Sequence, residues 1–328
     1  MIQAIRKQKT GFLGSQAMEL LLADIAPIRC LDIGARGGPS QDVYPLGSAA
    51  EVYCFEPDKE ECHRLNESQT SNSVLGSVRY FPVALGSENN QRHLHLTAHR
   101  GASSMLKPIT QMGQKFSRPR YTTVEKIVEI ETVPLDTFLK AENLHDISFM
   151  KIDVEGLELE IMQSASELLS SSLLAIRSEV AFITTREKQP TYADIDLFLR
   201  DYHFQPVGFA ELHHWRRSTP EKHLKKVSGS LPFSRGEIIH GDMIFLRNPD
   251  SINITDQQSI IHLLKLAFIA MSYAFIDLAD AILRLPEVHE YVDQHYNIDI
   301  NKELKAISLT QAANFQRKRL SHLFPHSI

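Results

Sequence analysis

The sequence predicts an α/β fold, a mostly parallel sheet with helices on both faces, and three observations carry that prediction. Short apolar runs with little polar alternation recur at 28–33, 51–56, 147–153 and 174–182, as strands buried on both sides require. Some break directly into glycine or an acid, as in Cys30-Leu31-Asp32-Ile33-Gly34-Ala35-Arg36-Gly37-Gly38. Stretches of helical spacing separate them, which gives the βαβ rhythm of a parallel sheet.

The elements follow in order. Ser15 precedes Met18, Leu21, Leu22 and Ile25, so a capped helix is expected over 15–26. Strand 28–33 comes next, then a helix after Pro39, strand 51–56, and a helix over 58–66 opened by Pro57, whose missing N–H costs nothing there. Residues 77–86 read as a third strand with its ligand-facing end near Val83 and Ala84. Between 91 and 133 the rhythm breaks. Alternating runs at 93–96 and 126–133 flank a loop with Gly101, Pro108, Gly113 and Pro119, which predicts an antiparallel insertion with a mobile cover. Strand 147–153, a helix over 157–169, strand 174–182, a helix from Thr191 to Tyr202 with Asp194 completing its capping pair, and strands at 205–209 and 242–247 then complete the sheet.

The end of the chain changes character. Over 260–285 apolar residues dominate, while His262, Lys265, Ser272, Asp277, Asp280 and Arg284 fall on one stripe at helical spacing. A single amphipathic helix packed on the sheet or on a second subunit is expected there, rather than a membrane span. Helices near 287–294 and 301–320 follow. The chain thus divides into an N-terminal helical segment at 1–27, a main domain at 28–250 and a C-terminal helical extension at 251–328, which offers a route to a homo-oligomer.

Composition narrows the partners. A chain of 328 residues with formal charge -5 and pI near 6.3 advertises no grip on nucleic acid. Cys30, Cys54 and Cys62 form neither a disulfide framework nor a zinc pattern, and residues 1–9 lack the order of a signal peptide. A cytoplasmic protein without a transmembrane segment is expected.

The glycine turn and the acid that follows it point to a ligand. Glu56 ends the second strand roughly 20 residues after the glycines, where a ribose hydroxyl pair is gripped in adenosine-binding sheets. The spacing departs from GxGxxG, with Arg36 where a glycine lets a pyrophosphate approach. Asp32 repels phosphate and attracts an ammonium. S-adenosylmethionine (SAM) therefore fits better than a nicotinamide dinucleotide.

As a set, Leu31-Asp-Ile-Gly34, Cys54-Phe-Glu56-Pro57, Val83-Ala84-Leu85-Gly86, Val133-Pro-Leu-Asp136 and Met150-Lys-Ile-Asp153-Val-Glu155-Gly156-Leu-Glu158-Leu-Glu160 resemble the FkbM family of SAM-dependent methyltransferases. The resemblance runs from about Leu31 to Arg247. It implies a class I methyltransferase sheet, Rossmann-like and seven-stranded, whose last strand is antiparallel. It also implies O-methylation of a hydroxyl, on a saccharide or on a glycosylated or polyketide-type metabolite. By the same resemblance Asp32, Gly34 and Ala35 form the methionine-side turn, in which Arg36, also a candidate ligand contact, departs from the family's usual polar-neutral filling, Glu56 and Pro57 form the ribose end, and Ala84 part of the adenine wall. Ser103 and Ser104 reach the cofactor's carboxylate, and Asp153 faces both cofactor and acceptor.

A sugar hydroxyl is a poor nucleophile, so a general base is expected beside it. Asp153, Glu155 and Glu179, at strand ends, are the candidate carboxylates. His214, with His213 and beside Trp215, is the candidate imidazole, on a loop after the sixth strand. Each has a plainer role: Glu155 as acceptor of backbone N–H groups at a helix start, Glu179 as partner of Arg177 or Lys151, the histidines as solvated residues. No dedicated metal-ligand cluster is evident, and the alternative is a divalent metal such as magnesium bridging Asp153 and a second carboxylate. The basic run at 216–235 is a solvated loop or a patch for an anionic acceptor. Two other readings stay open, a nicotinamide-dependent oxidoreductase and a catalytically degenerate interaction module.

Overall fold

The computed structural model describes residues 15–68, 74–218, 235–296 and 298–323, and the excursion expected at 216–235 lies mostly outside them. Helix α1 (Gln16–Asp24) opens with Ser15 accepting from the Met18 N–H, and leads into β1 (Ile28–Ile33). The helix expected after Pro39 is a 3-10 segment over Gln41–Ala49, because Pro45 lies inside it and Gly47 leaves helical geometry with φ 56°. Then come β2 (Ala50–Phe55) and α2 (Lys59–Glu67). Asp58 rather than Pro57 caps α2, accepting from the N–H groups of Glu60 and Glu61.

The third strand divides at Pro82. β3 (Ser77–Phe81) stays in the main sheet, and β4 (Ala84–Leu85) crosses to a second sheet with β5 (Asn90–Thr97) and β6 (Val124–Val133). That second sheet is the expected insertion: β5 and β6 pair antiparallel, with α3 (Thr110–Lys115) between them. After α4 (Leu135–Ala141) the chain returns to the main sheet as β7 (Ile147–Ile152). The helix expected over 157–169 is two, α5 (Glu158–Gln163) and α6 (Ser166–Ser170). Asp136 causes the break, its carboxylate accepting from the N–H groups of Glu167 and Leu168 as a cap supplied from another element.

β8 (Ala175–Ala181), α7 (Tyr192–Arg200), β9 (Phe204–Trp215) and β10 (Glu237–Arg247) complete the main sheet, in the order β3-β2-β1-β7-β8-β10-β9. Only β10 runs against its neighbours. The sheet is thus seven-stranded and mostly parallel, and its last strand in sequence is antiparallel. Chain order reverses between β1 and β7, so the crevice for a ligand is expected at their carboxyl ends.

Beyond the sheet, α8 (Gln257–Ser272) and α9 (Ile276–Leu283) replace the single long helix, because Ala274 adopts φ 67° between them. α10 (Pro286–Tyr296) and α11 (Ile300–Leu323) follow. α8 is part of the main core: Leu263, Leu266, Phe268 and Ala270 share one buried cluster with Ile28, Cys30, Val52 and Phe149. Lys265, expected on the polar stripe, is only 2% exposed and bonds Asp146 at 2.9 Å. Among the described residues no helix is long and apolar enough to cross a membrane.

Candidate active site

A cleft of about 670 Å³ opens at the carboxyl ends of β1, β2 and β7, where the chain order reverses. Asp32, Gly34, Arg36, Glu56, Pro57, Ala84, Ser103, Ser104, Asp153 and Glu155 all line it. Of the residues singled out from the sequence, Ala35, Glu179 and His214 do not. Ala35 is buried behind the turn and uses its backbone N–H on Phe55 O at 3.1 Å.

The turn after β1 is made by backbone contact. Gly34 has φ +85°, and a Cβ there would stand 2.0 Å from the carbonyl oxygen of Asp153. Only glycine lets the tips of β1 and β7 meet. Asp32, 2% exposed, accepts from the Ser40 N–H at 2.6 Å, and its other oxygen lies 3.3 Å from Lys151 Nζ. Burial raises the Asp32 carboxyl, and Lys151 opposes that rise. Lys151 is pulled down by burial but held above its usual value by the carboxylates of Asp32 and Asp153. The cation also donates to Gly34 O at 3.2 Å, so the turn and the two acids are tied at one point.

Glu56 is 5% exposed, and burial raises its carboxyl. Its Oε1 accepts from the Asp58 N–H at 2.9 Å, which leaves Oε2 without a hydrogen bond among the described residues. An acid in that condition suits a ligand diol. Arg36 turns toward Asp58 at 4.0 Å at the cleft mouth. Ser103 and Ser104 are both engaged: Ser103 Oγ accepts from the Thr97 N–H, and Ser104 Oγ donates to Glu155 O at 2.8 Å. Ser104 pins the insertion to the turn after β7, while the Ser103 bond lies within the insertion.

That turn, Asp153-Val-Glu155-Gly156, is held from inside by Glu158, whose buried carboxylate accepts from the N–H groups of Val154 and Gly156. Glu158 therefore has the backbone-binding role expected of Glu155. Glu155 itself takes φ 63° and pairs with the guanidinium of Arg186. Such a left-handed non-glycine residue costs of order 1–3 kcal/mol.

Glu155 also lines a smaller pocket of about 30 Å³ beside the cleft. Glu179, Arg186, Gln189, Tyr121, Trp215 and His240 share it. Glu179 contacts neither expected partner; His240 Nδ1 lies 2.6 Å from its Oε1. Carboxylate oxygens of Asp153, Glu155 and Glu179 lie within 4.8 Å of one another, close enough to invite a cation. Arg186 supplies positive charge to that group through Glu155. Burial and mutual repulsion still raise the Glu155 and Glu179 carboxyls well above the ordinary range.

His214 is a correction. It lies within β9, paired with Ile238 of β10, and not on a loop. Strand alternation sends it to the face opposite Trp215, away from both pockets. The histidine that reaches the site is His240. The strand expected from Asp242 begins five residues earlier, at Glu237, where Ile238-Ile239 announces it. Arg186 lies between β8 and α7, where no periodic pattern marks an element.

The comparisons with known proteins follow this geometry. Residues 32–206 match the methyltransferase FkbM domain. A 2-O-methyltransferase, NoeI, of Sinorhizobium fredii (strain NBRC 101917 / NGR234) is 25% identical over 174 residues, covering 52% of this chain and 70% of that protein. The magnesium protoporphyrin IX methyltransferase ChlM of Synechocystis PCC 6803, solved with bound SAM, aligns at TM-score 0.32 and 14% identity, over 75% of this chain and 79% of the other. The family match spans more than half of the sequence and holds the Gly34 turn, Glu56 and the Asp153 turn together. This chain belongs to the FkbM methyltransferase family.

Proposed function

We propose that this methyltransferase uses SAM to methylate a hydroxyl oxygen of a saccharide or of a glycosylated or polyketide-type metabolite. One observation carries the reading: Asp32, Glu56 and Asp153, from three strand ends, line one cleft around the glycine turn. When bound, SAM supplies a methyl group on a sulfonium, already joined to an excellent leaving group. The donor set fits it, because a cation with an ammonium end and a ribose suits a wall of buried acids better than a pyrophosphate does. Glu56 holds the ribose diol through its open Oε2, Asp32 and the Gly34 turn face the amino-acid end, and Ala84 forms part of the adenine wall.

The chain's own part is orientation and proton handling. The cleft aligns the acceptor oxygen, which supplies several kcal/mol, and the groups around the side pocket take the proton. The relative named as a 2-O-methyltransferase supports oxygen as the target. Free, buried Cys30, Cys54 and Cys62 support a reducing setting such as the cytoplasm.

Calorimetry with S-adenosylhomocysteine and with NAD tests the cofactor. Heat with the former alone is expected; heat with NAD alone makes the protein a dinucleotide binder, and heat with neither an interaction module. Labelled SAM offered with glycans and sugar nucleotides tests the acceptor class.

A further inference from the structure

His240 sits on β10, opposite Ala181 of β8 and His213 of β9. Its Nδ1 faces Glu179, its ring stacks on His213 at 4.5 Å between centroids, and it meets Trp215 edge-on at 6.1 Å. With Nδ1 turned to the carboxylate, Nε2 is the nitrogen left without a hydrogen bond among the described residues. We propose that His240 is the general base of the methyl transfer, with Glu179 behind it as its positioning residue. The proposal rests on the methyltransferase reading above.

The pocket in front of the ring, at about 30 Å³, has room for one or two water-sized groups. A hydroxyl enters it; a sugar ring stays in the larger cleft. Glu155 lines both spaces, so the hydroxyl and the cofactor site are neighbours.

The charges around the ring favour the step. Asp153 and Glu155 approach from the turn after β7, Glu179 from β8 and Asp242 from β10, with Arg186 and Tyr121 on the remaining walls and His213, paired to Glu211, on β9. Burial holds His240 below the ordinary imidazole value, so the ring is neutral at pH 7 and able to accept a proton. The carboxylates then stabilise the imidazolium that results. The other candidates are engaged, Glu155 by Arg186 and Asp153 by Lys151 at 3.7 Å.

The step balances. The acceptor oxygen bonds to the methyl carbon, and the carbon–sulfur bond breaks with its electron pair going to sulfur. The hydroxyl proton passes to His240 Nε2, which leaves a methyl ether, neutral S-adenosylhomocysteine and an imidazolium that later returns its proton to water.

Trp215 is the chain's single tryptophan, and an imidazolium quenches a neighbouring indole. Fluorescence titrated downward from about pH 6.5, the ordinary imidazole value, should dim in one transition below it in the wild type, keep it in His213→Gln and lose it in His240→Gln. Glu179→Gln should move it to lower pH, because the carboxyl that pairs with the imidazolium at Nδ1 is gone. A wild type without the transition, or a transition that survives in His240→Gln, overturns the proposal, and one unmoved in Glu179→Gln removes Glu179 from it. In the second arm, labelled SAM is offered with a mixture of methyl glycosides of neutral hexoses. His240→Gln should lower kcat roughly 10²- to 10⁴-fold with the KM for SAM unchanged, and wild-type turnover overturns the proposal. If no glycoside in the mixture is methylated, the fluorescence arm decides. Failure of the wild type to bind S-adenosylhomocysteine marks the separate failure of the methyltransferase reading.

Discussion

The two ends of the strand-tip row are built differently. On the side of β1 and β2, backbone conformation makes the site: Gly34 at φ +85°, the β1 and β7 tips in contact, and acids within two residues of each strand end. On the side of β8, β10 and β9, side chains from strands distant in sequence make it, with His240, Glu179 and Trp215 brought together by register and Arg186 added from the segment after β8. The first kind of site tolerates almost no change of shape at its turn. The second kind tolerates change of shape and is sensitive to charge.

That contrast can be broken in order of expected effect. Gly34→Ala should be the most damaging, since the new Cβ overlaps the Asp153 carbonyl. A loss of about 3 kcal/mol or more in denaturant unfolding is expected, together with loss of S-adenosylhomocysteine binding. A stable, binding-competent variant would show that the tips can separate. Asp153→Asn should leave unfolding nearly unchanged and lower turnover roughly 10²-fold, because charge and not shape is removed. Full activity would take Asp153 off the catalytic side.

Glu56→Ala should weaken S-adenosylhomocysteine by about 1.5–3 kcal/mol in calorimetry and leave the Trp215 pH transition in place. A change in that transition would show that the two ends are coupled. Asp146→Asn touches neither end and sharpens the comparison as a control. Burial pushes the Asp146 carboxyl up, but bonds from His262 and Lys265 outweigh it and hold it at about 2. A folded value below the unfolded one, near 3.8, adds stability above about pH 4 that is lost as pH falls toward 2. The variant should lose about 1–2 kcal/mol at neutral pH and show a flatter acid limb. An unchanged acid limb would mean that the bonds to α8 do not outlast exchange with water.

The same contrast explains what was legible in the sequence. β1, β2, β7 and β8 are buried on both faces, so their apolar runs stand out, and Gly34 and Glu56 sit where a local pattern ends. The helix over 157–169 was misread because its break comes from Asp136, which periodicity within that segment cannot reveal. His213 and His214 stand out in the sequence and His240 does not, for a similar reason. Paired histidines beside a tryptophan are conspicuous, whereas which of them reaches a pocket depends on the pairing of β9 with β10. Glu179 is legible as an acid at a strand end, but its partner is neither Arg177 nor Lys151 of β7; it is His240, which only the pairing of β8 with β10 supplies.

The placement of β10 between β8 and β9 also bears on the order in which the protein becomes complete during synthesis. A nascent chain that has emerged only through Trp215 already carries Gly34, Glu56 and Asp153, yet between β8 and β9 it has a slot one strand wide. Translation must reach Arg247 before that slot closes and His240 arrives, and Ser272 before α8 covers the face of β1, β2 and β7, so the fold and its side pocket are finished from the carboxyl-terminal part of the chain.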